Sequence, residues 1–307
     1  MSEELPAAEE AAVAGARPGG TWGSVLSCQE LAAVRSVGFA PVGQVFGAAV
    51  HATRAATWSS CPGAGGPGAG MPVPSVARVA GPGDPGGFGP LVEAMYQARR
   101  AAVDRMTVQC AVIGGHGVVG VRLSRGPFGF DGLEFTAAGT AVRASGTAAG
   151  LRVPFTSGVS GQDFARLVMA GWVPAGLAFG IAIGSRHDDR ATARQTRPWS
   201  GNAEMAGWTA LVNQTRQDAR CRLEDDVRRL GAEGVVITDM RMRARERDCP
   251  VTVGRHDHIV EITLTGTAIA SFSRAGHPHA GPTLAVMPVG APTLRQSGPG
   301  RASTERG

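Results

Sequence analysis

The stretch that decides the fold is Leu230–Met240, LGAEGVVITDM, together with Leu264–Ile269, LTGTAI, which follows it along the chain. The same pair occurs earlier, as IGGHGVVGVRL at Ile113–Leu123 and AGTAV at Ala138–Val142. A pair of motifs that recurs in the same order within one chain indicates an internal repeat. The sequence therefore predicts a tandem duplication of one domain.

The spacing between the copies supports this prediction. Gly117 and Gly234 are 117 residues apart, whereas Gly139 and Gly266 are 127 apart, so the copies differ by an insertion between these anchors. Upstream, further matches keep a constant spacing of 133 residues. They pair Leu31 with Phe164, Gly38 with Gly171, Phe39 with Trp172, Pro41 with Pro174, Gly43 with Gly176, Phe46 with Phe179 and Gly47 with Gly180.

Both copies contain the pattern of one long amphipathic helix, because small or apolar residues recur every three or four positions. The second copy has Val212, Thr215, Ala219, Leu223, Val227 and Leu230, and 117 residues earlier the first has Met95, Ala98, Ala102, Met106, Cys110 and Ile113. Gly114 and Gly231 follow as the glycines that end each helix. Charged residues between these positions, among them Arg99, Arg100, Arg216 and Asp226, are predicted to lie on the solvated face.

Strands are predicted on both sides of each long helix. A short helical pattern at Cys28–Val37 precedes an alternating segment, Phe39–Val50, and the strands GVVGVRL and LEFTAAGTAVRA follow the long helix. The second copy repeats this order. The predicted fold class is α+β, with two tandem domains that each lay one long helix on a small antiparallel sheet.

Composition sets the predicted domain boundaries, because segments rich in Ala, Gly and Pro without periodicity bury too little apolar surface to become ordered. The predicted ranges are a disordered tail at 1–24, a first domain at 25–144 with a Gly/Pro-rich insertion at 54–90, a linker at 145–159, a second domain at 160–274 and a disordered tail at 275–307.

The bulk composition points to a cytoplasmic protein. The chain has 307 residues and a net charge of +5, and all 30 of its basic residues are arginine, which is typical of a GC-rich genome. The five cysteines form no CxxC pair, which favours reduced thiols. The N-terminus has no secretory pattern, and no apolar run reaches the roughly 18 residues that cross a bilayer.

Two motifs then carry a family resemblance. The segments AMYQARRAAVDRMTVQCAVIGGHGVVGV at Ala94–Val121 and EFTAAGTAV at Glu134–Val142 resemble the YbjQ-type heavy-metal-binding domain family in its tandem two-domain actinobacterial form. The resemblance implies two dodecin-like, YbjQ-like α+β domains that assemble into rings, pentameric in single-domain members. The chain departs from the family pattern where Ile237 and Thr238 follow Val236 in place of a glycine.

The metal label of the family directs attention to histidine and aspartate clusters. His256, Asp257 and His258 precede the last strand of the second copy, and His187 lies in its loop. Imidazole and carboxylate groups bind zinc, copper or nickel when three or four of them converge. None of these residues has a counterpart in the first copy, so solvated loop residues are the favoured interpretation and a metal site is the alternative.

A second candidate is an arginine-rich strand, where Arg241, Arg243, Arg245 and Arg247 alternate with Met240, Met242 and Ala244. Arginine forks bind phosphate and other anions, so this face is a candidate anion-binding surface. An exposed sheet face guarded by charge is the other interpretation. Nucleic acid is not expected as a partner, because no aromatic side chains are interleaved for base stacking.

Catalytic motifs are absent from the sequence. His116 lies at a helix-to-strand turn, but Glu233 takes its place in the second copy, and no nucleophile, acid or base can be assigned. We therefore expect a non-enzymatic, cytoplasmic homo-oligomer without a cofactor or a membrane partner, acting as a ring-forming scaffold or small-ligand-binding module. Stacked five-fold rings and a three-chain pseudo-six-fold ring are both compatible with a fused pair. The alternative is a protein that binds a divalent heavy metal.

Overall fold

A computed structural model describes residues 23–52, 78–80, 88–129, 132–145, 153–197, 199, 201–249, 255–272 and 287–288. The predicted tails and the Gly/Pro-rich insertion lie largely outside the described residues, so their disorder stays a prediction. Of the helices that the structure describes, none combines the length and the apolar character that crossing a membrane requires.

The first half of the chain folds into two helices and four strands. They are α1 (Cys28–Ser36), β1 (Phe39–Ala52), β2 (Arg78–Ala80), α2 (Gly89–Val112), β3 (Gly117–Phe128) and β4 (Gly132–Ala144). The second half repeats the order with additions. It contains β5 (Phe155–Thr156), α3 (Gly161–Met169), β6 (Trp172–His187), α4 (Arg190–Gln195), α5 (Ala206–Arg229), β7 (Gly234–Asp248), β8 (His256–Ser271) and β9 (Met287–Pro288).

These strands form two sheets, and the α+β duplication is confirmed. Sheet 1 has the order β1-β4-β3-β5, and sheet 2 has the order β2-β6-β8-β7-β9. The pairs are antiparallel, except that β5 lies parallel to β3. Two short strands cross between the halves, because β2 pairs with β6 and β5, from the predicted linker, joins sheet 1.

Both long helices end where the sequence predicted, just before a glycine. Gly114 and Gly231 follow α2 and α5 with φ angles of 74° and 66°, a left-handed conformation that residues with a side chain rarely adopt. The stripe residues Met95, Ala98, Ala102, Met106 and Cys110 are all buried in α2. In α5 the buried set includes Thr215, Ala219, Leu223 and Val227, so the predicted apolar stripe of each helix is confirmed at these positions.

Each long helix crosses its own sheet at a glycine. A Cβ atom added to Gly47 of β1 would lie 2.1 Å from the Ala102 carbonyl oxygen of α2. A Cβ added to Gly180 of β6 would likewise lie 2.1 Å from the Ala219 carbonyl oxygen of α5. The two glycines occupy the same position of the repeat, as do the two alanines. In both domains the lack of a glycine side chain therefore permits close contact between helix and sheet.

The halves stack as four layers, in the order sheet 1, α2, sheet 2 and α5. Residues of α2 share one core with both sheets, since Phe135 of β4 and Phe179, Ile181 and Ile259 of sheet 2 belong to it. The other face of sheet 2 packs on α5. As a result α2 buries twelve residues and α5 only six, although both helices have 24 residues.

Candidate functional site

Next to the short stretch that pairs with β2, the outer edge of β6 is held by a tyrosine from the other half of the chain. The Ile181 amide donates a hydrogen bond of 2.9 Å to the Tyr96 hydroxyl of α2, and this hydroxyl donates to the Phe179 carbonyl at 3.4 Å. Burial raises the pKa of Tyr96, so its hydroxyl keeps its proton at neutral pH. One side chain thus satisfies two backbone groups that pair with no strand in the described part of the chain.

Asp226 of α5 completes the hold on this edge. One carboxylate oxygen accepts a hydrogen bond of 2.9 Å from the Phe179 amide, and the other accepts from Arg100 of α2 at 3.1 Å and from Arg229. The side chain is 5% exposed. The expectation that Asp226 lies on a solvated face is therefore wrong, because the interdomain contact buries the carboxylate among charged and polar donors.

The same arrangement occurs in the first domain with a neutral residue. Gln109, 117 residues before Asp226, accepts a hydrogen bond of 2.6 Å from the Phe46 amide of β1. Arg105 donates to the Ala48 carbonyl, as Arg222 donates to the Ile181 carbonyl at 2.6 Å. Each long helix therefore clamps the free edge of its own first strand.

The difference between the two domains is what covers the outer face of the sheet. Phe179 and Ile183 of sheet 2 are 2% and 0% exposed, because α2 packs on them. Their counterparts in sheet 1, Phe46 and Val50, are each 48% exposed. On the opposite side of the molecule, Asn213 and Gln217 of α5, which correspond to Tyr96 and Arg100, are exposed.

His116 and Glu233 have matching structural roles. His116 Nδ1 accepts a hydrogen bond of 3.2 Å from the Ala144 amide, at the end of β4. Glu233, 117 residues later, accepts from the Ser271 amide at 3.2 Å, at the end of β8. Both side chains therefore fasten the last strand of their domain.

Part of the predicted metal cluster comes together at one end of sheet 2. His187 Nδ1 lies 2.9 Å from Asp257 Oδ1, and ligand atoms of His187, Cys249 and Asp257 all lie within 4.8 Å of one another. Cys249 was not predicted as a ligand from the sequence. The antiparallel pairing of Asp248 with His256 brings it there, and an expected hairpin between the two strands is the signal that could have identified it.

The remaining predicted ligands lie elsewhere. The His258 ring packs on Trp208, with ring centroids 4.5 Å apart, and its Nε2 lies 3.0 Å from Asp188 Oδ1. His256 Nδ1 lies 3.3 Å from carboxylate oxygens of Glu246 and Asp248. Adjacent residues of a strand point to opposite faces, so His256 and His258 do not join the cluster around Asp257.

The three converging residues are of the types that bind a divalent heavy metal. Imidazole, thiolate and carboxylate are the three zinc ligand types, and a tetrahedral ion holds its ligand atoms roughly 3–4 Å apart. The spread of up to 4.8 Å requires only small side-chain shifts. The Arg247 guanidinium opposes metal binding, because it lies 3.2 Å from Asp257 Oδ2 and competes with a cation for that oxygen.

The arginines of β7 lie on the face of sheet 2 that is turned towards the first domain. Arg241, Arg243, Arg245 and Arg247 stand opposite Thr263, Glu261, Ile259 and Asp257 of β8. Three of the four have carboxylate neighbours, with nitrogen–oxygen distances of 2.8 Å for Arg241–Asp239, 3.9 Å for Arg245–Glu261 and 3.2 Å for Arg247–Asp257. Ion pairing offsets much of this strand's charge.

The helix cysteine is not a metal ligand in this conformation. Cys110 is fully buried, and its thiol donates to the Gly117 carbonyl at 3.4 Å. Burial raises the pKa of the Cys110 thiol to about 12. The thiol therefore stays protonated near neutral pH, as expected of a core residue.

Comparisons with known proteins agree with this architecture. A family described as "Putative heavy-metal-binding", YbjQ_1, matches residues 83–145 and 173–271. The encapsulin nanocompartment protein Rv1762c of Mycobacterium tuberculosis is 37% identical over 156 residues, which cover 48% of this chain and 59% of the relative. The match thus spans less than two thirds of that relative's length. No solved structure matches.

Proposed function

The chain belongs to this YbjQ-type heavy-metal-binding family, and from that premise we propose that it is a non-enzymatic, cytoplasmic scaffold that assembles with copies of itself. The observation that carries the proposal is the exposed outer face of sheet 1. Its apolar residues, Phe46 and Val50, are the counterparts of residues that α2 buries on sheet 2. In the proposed assembly, α5 of a second copy covers sheet 1 as α2 covers sheet 2.

The polar residues of α5 suit this contact. Asn213 corresponds to Tyr96, which bonds the Phe179 carbonyl and the Ile181 amide. The equivalent groups on β1 are the Phe46 carbonyl and the Ala48 amide, for which the described residues provide no hydrogen-bond partner. A side-chain amide can donate to a carbonyl and accept from an amide. Asn213 of a second copy can satisfy both groups when α5 lies nearer to β1 than α2 lies to β6, because its side chain is shorter than that of Tyr96.

A second pair of residues differs between the contact of α2 with sheet 2 and the proposed contact of α5 with sheet 1. Within the chain, Arg100 of α2 bonds Asp226 of α5 at 3.1 Å. The corresponding residues at the proposed contact are Gln217 of one copy and Gln109 of the next. An ion pair is thus replaced by two amides, which complement each other without leaving a charge unpaired.

The assembly joins unlike surfaces, sheet 1 of one copy and α5 of the next. Such a heterologous contact closes into a ring when the rotation per chain allows it. Covering the half-exposed Phe46 and Val50 contributes about 1 kcal/mol each. The relative from Mycobacterium tuberculosis is named for a nanocompartment, a protein assembly, which supports self-assembly in this chain as well.

Native mass spectrometry with a double-mutant cycle tests the contact. We expect a defined oligomer for the unaltered chain, and at least tenfold weaker association for Gln109→Asp and for Gln217→Arg, because each leaves one buried charge without its partner. The double variant restores association, since it rebuilds the pair that Arg100 forms with Asp226. A monomeric unaltered chain, or losses that simply add in the double variant, would refute the contact.

A second candidate function is binding of a divalent heavy metal by His187, Cys249 and Asp257. It rests on the convergence of three ligand types within 4.8 Å, and such an ion would act there as a structural link between β6, β8 and the end of β7. Arg247 would then have to yield its contact with Asp257. This candidate is independent of assembly.

Cobalt(II) titration of protein purified without an affinity tag tests the metal candidate. We expect a thiolate-to-cobalt absorption band at one ion per chain, and zinc to displace it. Cys249→Ser removes the band, and His187→Ala weakens binding by at least roughly 10-fold, because loss of a ligand costs no less than loss of an outer-shell partner. His256→Ala is the matched control and leaves the titration unchanged, because His256 faces away from the cluster. A band of equal strength in Cys249→Ser would reject this site.

A further inference from the structure

A small cavity lies between the two domains, where residues of sheet 1, α2 and sheet 2 meet. Its first-domain lining consists of Arg99, Ala102, Leu123, Ser124, Arg125, Phe135 and Thr136. Its second-domain lining consists of Asp239, Arg241, Thr263 and Thr265. The lining thus contains three guanidinium groups and one carboxylate.

Arg99 is the unusual member of this lining, because it is buried without an anionic partner. It is 8% exposed, and one of its amino groups donates to the Met95 carbonyl at 3.2 Å. Its guanidinium lies over the Phe135 ring, 4.9 Å from the ring centre. Within the described part of the chain, Arg99 forms no ion pair. The prediction that Arg99 lies on a solvated helix face is therefore wrong, because sheet 2 covers that face of α2.

The Arg99 charge persists despite its burial. Burial, with a smaller contribution from the charge of Arg125, lowers the pKa of Arg99 to about 10. The guanidinium is still protonated at neutral pH. A buried cation without a counter-ion costs free energy unless another group compensates it.

The other two arginines of the cavity, Arg125 and Arg241, already have carboxylate partners. Arg125 grips Glu261 through two contacts of 2.6 and 3.4 Å, and both side chains are nearly buried. Arg241 bonds Asp239 at 2.8 Å, but these side chains are 56% and 44% exposed, so the pair is loosely held. Among the described residues, Arg99 is therefore the cation of this cavity without an ion-pair partner, although the nearby Glu261 carboxylate offsets part of its charge.

Two threonines add hydroxyl groups to the cavity. Thr263 and Thr265 stand on β8 opposite Arg241 and Asp239, and are 6% and 8% exposed. Neither hydroxyl forms a hydrogen bond with any residue that the structure describes. Each hydroxyl is therefore available to donate a hydrogen bond to a ligand with acceptor oxygens.

We propose that this cavity binds a small inorganic oxyanion of the phosphate or sulfate class. The anion accepts hydrogen bonds from Arg99, Arg241, Thr263 and Thr265, and so links the first domain to the second. The cavity volume is about 30 Å³, room for roughly two water molecules. That volume suits a single oxyanion.

Thermal unfolding in inorganic phosphate at constant ionic strength tests the proposal. We expect the unfolding temperature of the unaltered protein to rise saturably with phosphate. In Arg99→Met the half-saturating concentration rises at least tenfold, because the buried cation is lost. Arg216→Met is the matched control, since Arg216 is the repeat counterpart of Arg99 and is exposed; its phosphate response stays that of the unaltered protein.

The phosphate-free measurement separates binding from a purely structural role. We expect Arg99→Met to be at least as stable as the unaltered protein there, because it removes an uncompensated charge. A large loss of stability that phosphate does not change would overturn the proposal, as would equal responses in the two proteins. An equal response to chloride would overturn the oxyanion class. If Arg99→Met fails to fold, the double variant Thr263→Val/Thr265→Val takes its place. We expect it to weaken the phosphate response, and an unchanged response would reject the site.

Discussion

Gly180→Ala is expected to lower the free energy of unfolding by about 3 kcal/mol or more. The added methyl group would lie 2.1 Å from the Ala219 carbonyl oxygen and 3.0 Å from the Leu223 amide nitrogen. These are backbone atoms of α5, so no side chain can rotate away to make room. The helix would have to move off sheet 2, which would loosen the core it shares with β6 and β8.

Chemical denaturation followed by circular dichroism measures this loss. Gly176→Ala is the control in the same strand, because its added carbon lies 3.4 Å from the Leu230 side chain, an ordinary contact. We expect a change below about 1 kcal/mol for the control. Gly47→Ala should repeat the large effect in the first domain, since the contact with α2 is the same. Comparable stabilities of Gly180→Ala and Gly176→Ala would show that α5 adapts to the methyl group.

Asp226→Ala is expected to lower the free energy of unfolding by about 2–4 kcal/mol, because it removes the charged acceptor of a buried amide and two partly exposed ion pairs. The carboxylate accepts from the Phe179 amide, Arg100 and Arg229, and is 5% exposed. Its removal leaves the Phe179 amide without a partner beneath α2. It also takes from Arg100 its only carboxylate contact among the described residues.

The neighbouring aspartate provides a matched control. Asp225 is 71% exposed and, among the described residues, bonds only Arg228 on the helix surface, so Asp225→Ala should change stability by less than about 0.5 kcal/mol. Gln109→Ala, at the equivalent neutral position, should cost about 1–3 kcal/mol, since it leaves the Phe46 amide unsatisfied. Equal losses for Asp225→Ala and Asp226→Ala would contradict the assigned role.

The repeated architecture could be predicted because it is encoded locally. Stripe residues such as Met106 and Leu223 recur with helical spacing, and Gly114 and Gly231 end the helices in a conformation that favours glycine. Strand alternation likewise separates Met240 from Arg241 on β7. Each of these signals depends on residues near one another in the sequence, so a single chain reveals them.

The interdomain features could not be predicted because they depend on contacts distant in the sequence. Arg99 and Arg216 occupy the same position of the repeat, yet only Arg99 is buried, since sheet 2 covers α2 and no described element covers α5. The candidate metal cluster was identified in part. Cys249 was not among the predicted ligands, because strand pairing brings it to Asp257.

The burial of α2 between two sheets also determines how the protein responds to dilution. The contact of α2 with sheet 2 joins two parts of one polypeptide, so its effective concentration is fixed by the connecting segment and does not fall when the sample is diluted. A contact between separate chains has no such protection. Any larger assembly would therefore come apart into intact two-domain chains, each with α2 still enclosed, before the domains themselves separate.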